Sequence, residues 1–238
     1  MKLEVYSNAD EVAQKAAALL AAEARAAVAA RGMFVMAVSG GHTPWQMLRA
    51  LAGEDVPWRF VHVVQVDERI APPGNPDRNL THLRESLLEH APLNPEHIHA
   101  MPVESSNLQA ACSEYAVTLQ NLAGSPPVLD LVHLGLGADG HTASLVPGDP
   151  VLDIKDADVA LTGIYQKRRR MTLTYPMLNR SRRVLFVVTG EEKASMLPRL
   201  LASDAQIPAG RVRSDHALVL ADRAAAEQLS RDSKAEVA

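Results

Sequence analysis

The sequence predicts an α/β fold of the Rossmann-like type, an open and mostly parallel β-sheet covered by helices on both faces. Short apolar runs alternate with longer helix-like segments, which is typical of parallel sheets built from βαβ units. Several runs are apolar at every position, as expected of strands buried on both faces. The chain has 238 residues, 47% of them hydrophobic and 22% charged, which excludes a disordered or collagen-like protein. We expect residues 1–238 to form a single domain, with residues around 151–167 as a candidate small subdomain.

The individual elements follow from local signals in chain order. A short strand over residues 3–6 precedes an Ala-rich helix, which Ser7 or Asn8 can cap and which Gly32 ends. Further apolar or alternating runs predict strands over residues 33–38, 60–66, 129–136, 171–175, 183–189 and 216–221. Helical patterns predict helices over residues 44–53, 79–90, 107–122, 191–202 and 222–231. We expect the polar tail from Arg231 to be frayed.

Charge and composition exclude several classes of function. Lys and Arg number 24 against 28 Asp and Glu, so the formal net charge is −4, and aromatic residues are only 4%. A protein that stacks nucleic-acid bases on exposed rings usually has more aromatic residues, so no nucleic-acid partner is expected. The longest apolar stretch, residues 16–30, contains Glu23 and Arg25 and is too short to span a membrane. Because Cys112 is the only cysteine and no signal-peptide pattern opens the chain, we expect a cytoplasmic protein, with no membrane partner and no obligate protein partner evident.

The first functional motif, SGGHTP, directly follows the second predicted strand. Gly40 and Gly41 allow a tight turn, Thr43 can cap the next helix, and Pro44 suits its first position. The backbone amides at the start of this helix and the hydroxyls of Ser39 and Thr43 can donate hydrogen bonds, so the motif favours the binding of an anion. The alternative is a plain strand–turn–helix connection. A Walker loop is excluded because the required Lys-Ser/Thr ending is missing.

The second motif is the triplet Asp67-Glu68-Arg69, which ends the valine-rich third strand. It places two carboxylates and a guanidinium at one edge of the sheet. The alternative is a surface turn with a local ion pair. The Pro- and Gly-rich loop that follows, up to Asn79, is long enough to act as a lid or as a wall of a substrate site.

The third motif, GLGADGHTASL at residues 135–145, contains the spacing GxGxxG. A dinucleotide site requires a full helix after the third glycine, and the PGDP sequence at residues 147–150 comes too early for one. The more informative feature is His141 beside Asp139, because a histidine titrates near neutral pH and can act as a general base. The alternative is a purely structural histidine.

All three motifs follow predicted parallel strands. Ligands of open α/β sheets bind at the carboxyl ends of the strands, so we expect the motifs to share one site. A fourth element, KRRR at residues 167–170, precedes the strand 171–175. It is either a solvated charge run, a nucleic-acid patch or a source of phosphate ligands, and Arg170 is favoured as a ligand because it borders the strand directly.

Together these motifs resemble the glucosamine-6-phosphate isomerase/6-phosphogluconolactonase family, and within it the lactonases. The matching pieces are SGGHTP, VDERIAPPGNPDRN, LGLGADGHTASLVPG and RRMTLTYPMLNRSRRVLFVVTGEEK. In the related deaminases the histidine motif is expected to continue as a DGHIAFNEP-like sequence, whereas here Thr142 to Leu145 read TASL. One departure is His42, where the family more often has Ser, Thr or Arg.

The resemblance implies hydrolysis of 6-phosphoglucono-δ-lactone to 6-phosphogluconate in the oxidative pentose phosphate pathway. It implies a phosphorylated sugar lactone as the partner and no metal or organic cofactor. The sequence also gives no indication of a metal site, because no acidic or cysteine ligands accompany the His97-x-His99 pair. The alternatives are a glucosamine-6-phosphate deaminase or isomerase and a non-catalytic sugar-phosphate sensor.

The expected site has His141 as the base that activates water, with Asp139 or Asp67 orienting the imidazole or the water. Arg69 or the turn amides of residues 137–140 would stabilise the oxyanion, and Arg69 could instead bind phosphate. The expected phosphate and substrate ligands are Ser39, Gly40, Gly41, Thr43, Asn79, Arg170 and Arg169. Ser144 is not favoured as a covalent nucleophile, because no G-x-S-x-G elbow surrounds it.

Overall fold

The computed structural model describes residues 1–229 and places ten strands and six α-helices there. The strands are β1 (Lys2–Tyr6), β2 (Phe34–Val38), β3 (Val61–Gln65), β4 (Asp67–Arg69), β5 (Ile98–His99), β6 (Leu131–Leu134), β7 (Val159–Leu161), β8 (Arg170–Leu173), β9 (Val184–Val188) and β10 (Ala217–Asp222). The α-helices are α1 (Ala9–Arg31), α2 (His42–Leu51), α3 (Asn79–Leu83), α4 (Leu108–Ala123), α5 (Tyr175–Arg180) and α6 (Leu197–Leu201). Short 3₁₀ turns lie at Trp58–Phe60, Pro95–His97, Pro150–Asp153, Glu191–Lys193 and Pro208–Arg211.

A seven-stranded sheet with the order β1-β10-β9-β6-β2-β3-β5 forms the centre of the molecule. All of its neighbouring strands are parallel. Successive residues of β2 enter two different apolar clusters, with Val35 and Ala37 on one face and Phe34 and Met36 on the other. Both faces are therefore buried, which is why the strand is apolar at every position. The predicted α/β fold is confirmed.

A second, antiparallel sheet of three strands has the order β4-β8-β7. The sequence placed the second motif at the end of the third strand, with a surface turn as the alternative, whereas the motif forms a separate strand, β4, which pairs with β8 through Asp67↔Thr172 and Arg69↔Arg170. This pairing joins two segments about a hundred residues apart, and no local pattern predicts such a register. The strand predicted over residues 171–175 therefore belongs to the small sheet.

The segment around residues 151–167 shares its core with the main sheet. Val151 and Val159 lie in the same apolar cluster as Leu134 and Phe186, which come from two central strands. This common packing favours one domain over a separate subdomain, and we propose a single-domain chain on that basis.

Helix α1 has the predicted ends. The Asn8 side chain accepts a hydrogen bond from the Glu11 amide at 2.9 Å, and Gly32 adopts a left-handed φ of 81°. None of the helices within residues 1–229 combines the length and the apolarity needed to cross a bilayer.

Several helix and strand predictions differ from the structure. The helix predicted over residues 79–90 is α3 followed by a π-type turn at Arg84–Leu88, and the one over 191–202 is a 3₁₀ turn and then α6. Of the predicted helix 222–231, the first residue belongs to β10, residues 223–226 form turns, and the chain is helical only from residue 227. The last two residues of this prediction, with the tail from Arg231, lie outside the described residues. The short strand β5 was missed, because two residues carry no recognisable period.

Candidate active site

The turn at residues 39–41 continues from the carboxyl end of β2 into α2. Gly41, with a φ of 135°, occupies the N-cap position of α2, and no side chain caps this helix. Thr43 was predicted as the cap, but the helix begins two residues earlier than predicted, and Thr43 Oγ1 lies 2.6 Å from Thr189 Oγ1 instead. Gly40 packs so closely on Asn79 that an added Cβ would lie 2.1 Å from Asn79 Oδ1. Ser39 Oγ is buried and has no hydrogen-bond partner within the described chain.

The two carboxylates of β4 have different roles. Glu68 is fully buried, forms an ion pair with Arg78 at 3.1 Å, and accepts hydrogen bonds from the amides of Asn79 and Leu80 at 2.7 and 2.8 Å. It therefore holds the start of α3. Asp67 faces the cavity described below and accepts from Ser144 Oγ at 2.5 Å.

The glycine-rich turn after β6 holds a close Asp–His pair. His141 Nδ1 lies 2.6 Å from Asp139 Oδ1, which also accepts from the His141 amide at 3.1 Å. With Nδ1 bound to the carboxylate, Nε2 is the nitrogen available as an acceptor. Partial burial raises the pKa of the Asp139 carboxyl, but the amide, charge and ring of His141 and the Tyr165 hydroxyl lower it by more, so the net pKa lies below its usual range.

The same turn excludes one predicted role. The Gly137 amide donates to the His141 carbonyl at 2.8 Å, and the Gly140 amide donates to the Gly137 carbonyl at 2.9 Å. These two amides are used within the turn, so the prediction that they stabilise an oxyanion was wrong for both. Gly137 also has to lack a side chain, because a Cβ there would lie 2.0 Å from His141 Nδ1.

Arg69 and Arg170 bring two positive charges to the site. Arg170 is only 4% exposed, and neither guanidinium lies within ion-pair distance of a carboxylate of residues 1–229. Burial, followed by the nearby charge of Arg69, lowers the pKa of Arg170, while Asp67 and Tyr165 raise it in part. Two like charges that converge without a carboxylate partner indicate a binding site for an anion.

Arg169 does not reach the site, although it was predicted to bind phosphate. Successive residues at the start of β8 point in opposite directions, and Arg169 is exposed, with its Nε 3.4 Å from the Thr162 carbonyl. Arg168 also points away and forms an ion pair with Asp77 at 2.8 Å.

A small cavity joins these groups at the carboxyl ends of the central strands. Its lining residues are Ser39, Gly40, Asp67, Arg69, Asn79, Gly135, His141, Thr142, Ala143 and Arg170. Seven of them were predicted, Asp139 supports His141 from behind, and Gly41 and Thr43 lie outside the lining. Gly135, Thr142 and Ala143 were missed as lining residues. Tyr165 was also missed; it lies outside the lining and contacts Asp139.

The described residues contain no group of three or more His, Cys, Asp or Glu side chains arranged to hold a metal ion. The rings of His97 and His99 both stack with that of His62, whose Nδ1 lies 3.1 Å from His99 Nε2. Burial, followed by the charges of His97 and His99, lowers the pKa of His62 to about 4.

Comparison with known proteins decides the family. The model of the family described as glucosamine-6-phosphate isomerases/6-phosphogluconolactonase matches residues 7–220. The chain belongs to this family. Within the family, a 6-phosphogluconolactonase from Synechocystis sp. is 34% identical over 236 residues, covering 96% of this chain and 98% of that protein. One from Streptomyces coelicolor is 32% identical over 253 residues, covering 97% and 95%.

A solved structure of the family agrees with the fold. The 6-phosphogluconolactonase from Thermotoga maritima matches with a TM-score of 0.81 at 27% identity, covering 93% of this chain and 98% of that one. The family resemblance stated from the motifs is confirmed. In this family member, the Asp139–His141 pair and the two arginines stand at the carboxyl ends of the strands, where ligands of parallel sheets bind.

Proposed function

We propose that this family member is a 6-phosphogluconolactonase, which hydrolyses 6-phosphoglucono-δ-lactone to 6-phosphogluconate in the oxidative pentose phosphate pathway. One observation carries the proposal: a His–Asp pair suited to general-base catalysis shares a cavity with two arginines that have no ion-pair partner among the described residues. The near-full-length relatives, both 6-phosphogluconolactonases, support the same activity. A phosphorylated lactone matches both halves of the cavity, because it has an electrophilic carbonyl and a dianionic phosphate.

Water attack on the lactone carbonyl is the step that the His–Asp pair serves. His141 Nε2 takes a proton from water as its oxygen bonds to the carbonyl carbon, and Asp139 stabilises the imidazolium that forms. When the tetrahedral intermediate collapses, the bond between the carbonyl carbon and the ring oxygen breaks. The imidazolium then gives its proton to the departing oxygen, which becomes a hydroxyl of 6-phosphogluconate. The product carboxylic acid ionises in solution.

Buried polar atoms support the binding of an anion beside this pair. Ser39 Oγ, Arg69 Nε, Asn79 Oδ1 and Arg170 Nε are all buried and have no hydrogen-bond partner within residues 1–229. Buried polar atoms normally have a partner, and three of these four atoms, all except Asn79 Oδ1, carry a hydrogen that they can donate to a phosphate oxygen. We assign the phosphate to this side of the cavity, next to the turn at residues 39–41.

Arg69 and Arg170 divide the remaining electrostatic work. The amides of Gly137 and Gly140 are occupied within their turn, whereas both arginines line the cavity, so we assign the stabilisation of the transient oxyanion to the arginines. Asp67 faces the same cavity and is held by Ser144 and Asn79, with distances of 2.5 and 3.3 Å to its carboxylate. This position suits an acceptor that orients the attacking water.

Surroundings and partners complete the proposal. We place the protein in the cytoplasm, acting on a small phosphorylated lactone without metal, organic cofactor, nucleic acid, membrane or obligate protein partner. The net charge of −4 and the buried, free thiol of Cys112 support this setting.

The test is turnover of freshly prepared 6-phosphogluconolactone, corrected for spontaneous hydrolysis, beside ammonia release from glucosamine 6-phosphate. We expect the wild type to hydrolyse the lactone and to release no ammonia. His141→Ala should lower kcat about 10²- to 10⁴-fold while staying folded. His90→Ala, which removes an exposed imidazole, is the matched control and should keep full activity. Absence of lactone turnover by the wild type would refute the proposed function, and a fully active His141→Ala variant would refute the proposed base.

A further inference from the structure

Tyr165 is presented to the site by a strained hairpin. Tyr165 and Arg168 pair across a two-residue turn, in which Gln166 and Lys167 have left-handed φ values of 49° and 68°. Residues other than glycine adopt this conformation at a cost, which persists where the surrounding contacts hold it. The turn directs Tyr165 towards the Asp139–His141 pair.

The Tyr165 hydroxyl contacts the oxygen of Asp139 that His141 does not use. It donates to Asp139 Oδ2 at 2.9 Å, while Asp139 Oδ1 is bound by His141. The Tyr165 ring meets the imidazole edge to face, with the centroids 5.4 Å apart. Burial, followed by the hydrogen bond to Asp139 and the charge of that carboxylate, raises the pKa of Tyr165, so the hydroxyl stays a donor at neutral pH.

The same ring also supports Arg170. The guanidinium carbon lies 5.0 Å from the Tyr165 ring centroid, within the range of a cation–π contact. Gln166, the next residue of the hairpin, accepts from Arg170 Nη2 at 3.1 Å. One short hairpin therefore contacts both the Asp139–His141 pair and Arg170, one of the two arginines assigned to the anion.

We propose that Tyr165 is a positioning residue for lactone hydrolysis, which fixes the orientation and basicity of the Asp139–His141 pair through its hydroxyl and the position of Arg170 through its ring. The inference rests on the proposed function and goes beyond it, because neither the family match nor the motifs assign a role to this tyrosine.

The hydroxyl acts on the base through the carboxylate. By donating to Oδ2 it shares the negative charge of Asp139 and keeps the carboxylate from rotating. Without this donor, Asp139 attracts the imidazole proton more strongly, so His141 stays protonated to a higher pH. A protonated imidazole cannot take a proton from water, so less of the protein is active below that pH. The other charged groups at the cavity, Asp67, Arg69 and Arg170, are the same in each Tyr165 variant.

Two substitutions separate the hydroxyl from the ring. Tyr165→Phe should lower kcat about tenfold, the effect of one charge-assisted hydrogen bond, and leave KM within about twofold. Its acid limb in the profile of kcat/KM against pH should move to higher pH. Tyr165→Leu also removes the surface under Arg170, so its KM for the lactone should rise by about fivefold or more in addition. Tyr175→Phe, which removes a buried tyrosine hydroxyl that donates to the Pro208 carbonyl, is the control and should change neither the pH profile nor KM.

A measurement without substrate distinguishes this inference from the proposed function. In a pH series followed by ¹⁵N NMR, the His141 imidazole should keep its proton to a higher pH in Tyr165→Phe than in the wild type, and Tyr175→Phe should match the wild type. That shift would support the inference even if the wild type failed to hydrolyse the lactone. An unchanged titration, with wild-type kcat and KM in both Tyr165 variants, would overturn it.

Discussion

A single methyl group at Gly137 should disable the catalytic pair. A Cβ at this position would lie 2.0 Å from His141 Nδ1, 2.4 Å from Cε1 and 2.6 Å from Asp139 Oδ1. Ordinary contacts of a Cβ begin near 3.4 Å, so the imidazole must retreat by roughly 1.4 Å and the carboxylate oxygen by roughly 0.8 Å. Both movements disturb the 2.6 Å contact between Nδ1 and Oδ1.

The expected result of Gly137→Ala is a loss of kcat with the fold retained. Misplacement of a reacting group by about 1 Å costs about 10²-fold, which corresponds to about 2.7 kcal/mol of activation free energy. The His141 and Asp139 side chains are 23% and 38% exposed, so they can move towards solvent without disturbing the core. We therefore expect kcat for 6-phosphogluconolactone to fall about 10²-fold or more, with Tm changed by less than about 2 °C.

Two reference variants interpret that loss. His141→Ala sets the activity that remains without a base, and Gly53→Ala adds a methyl whose nearest neighbour, the Ala50 carbonyl oxygen, is 3.5 Å away. Gly53→Ala should keep wild-type kcat. If Gly137→Ala kept kcat within about threefold of the wild type while His141→Ala lost it, the close packing of this pair on the turn would not matter for catalysis, and the reasoning from geometry would fail.

Three further predictions concern binding, the buried serine and pH. Arg170→Ala should raise KM for the lactone, measured by steady-state kinetics, and Kd for 6-phosphogluconate, measured by calorimetry, at least about tenfold. Arg169→Ala should change both by less than about twofold; equal effects of the two substitutions would contradict the choice of Arg170 over Arg169 as a ligand of the anion. Ser144→Ala removes the hydroxyl that donates to Asp67 and should lower the free energy of unfolding, measured in urea titrations, by about 1–3 kcal/mol. The same variant should lower kcat by less than about tenfold; a total loss of turnover would instead indicate that Ser144 is a covalent nucleophile. Burial lowers the pKa of His133 to about 3 in the folded chain. As the pH falls through about 6.5, His133 therefore binds a proton in the unfolded chain but stays neutral in the folded chain. Folding stability should therefore fall by about 2 kcal/mol on this account between pH 7 and pH 5, and His133→Asn should flatten that decline; an unchanged slope in the variant would rule His133 out as the cause.

Much of the fold follows from local sequence patterns. β2 is apolar at every position and β3 is rich in valine because the parallel sheet is covered on both faces. The Asn8 cap and the Gly32 end of α1 act through neighbouring residues. These signals depend on interactions within a few residues, so they can be read without knowledge of the rest of the chain. The break between Glu191–Lys193 and α6 was not predicted, because its helical pattern continues across the gap.

Part of the site was also predictable. Because parallel strands end at the same edge of a sheet, the motifs around Ser39, Asp67 and His141 were expected to meet, and all three residues line one cavity. The Asp139–His141 contact spans only two residues in a turn, and the sequence presented it as one of two options.

The sequence by itself determined the order of the motifs, the parallel sheet that gathers them and the chemical types of the groups at its edge. Only the tertiary structure decided between close alternatives: Asp139 rather than Asp67 on the imidazole, Arg170 rather than Arg169 in the cavity, and Tyr165 behind the base. These choices depend on the register between β4 and β8 and on a hairpin that returns to the turn after β6. Such pairings join residues far apart in the chain, and shifting the register by one residue reverses which side chains face the site, so no local pattern specifies them.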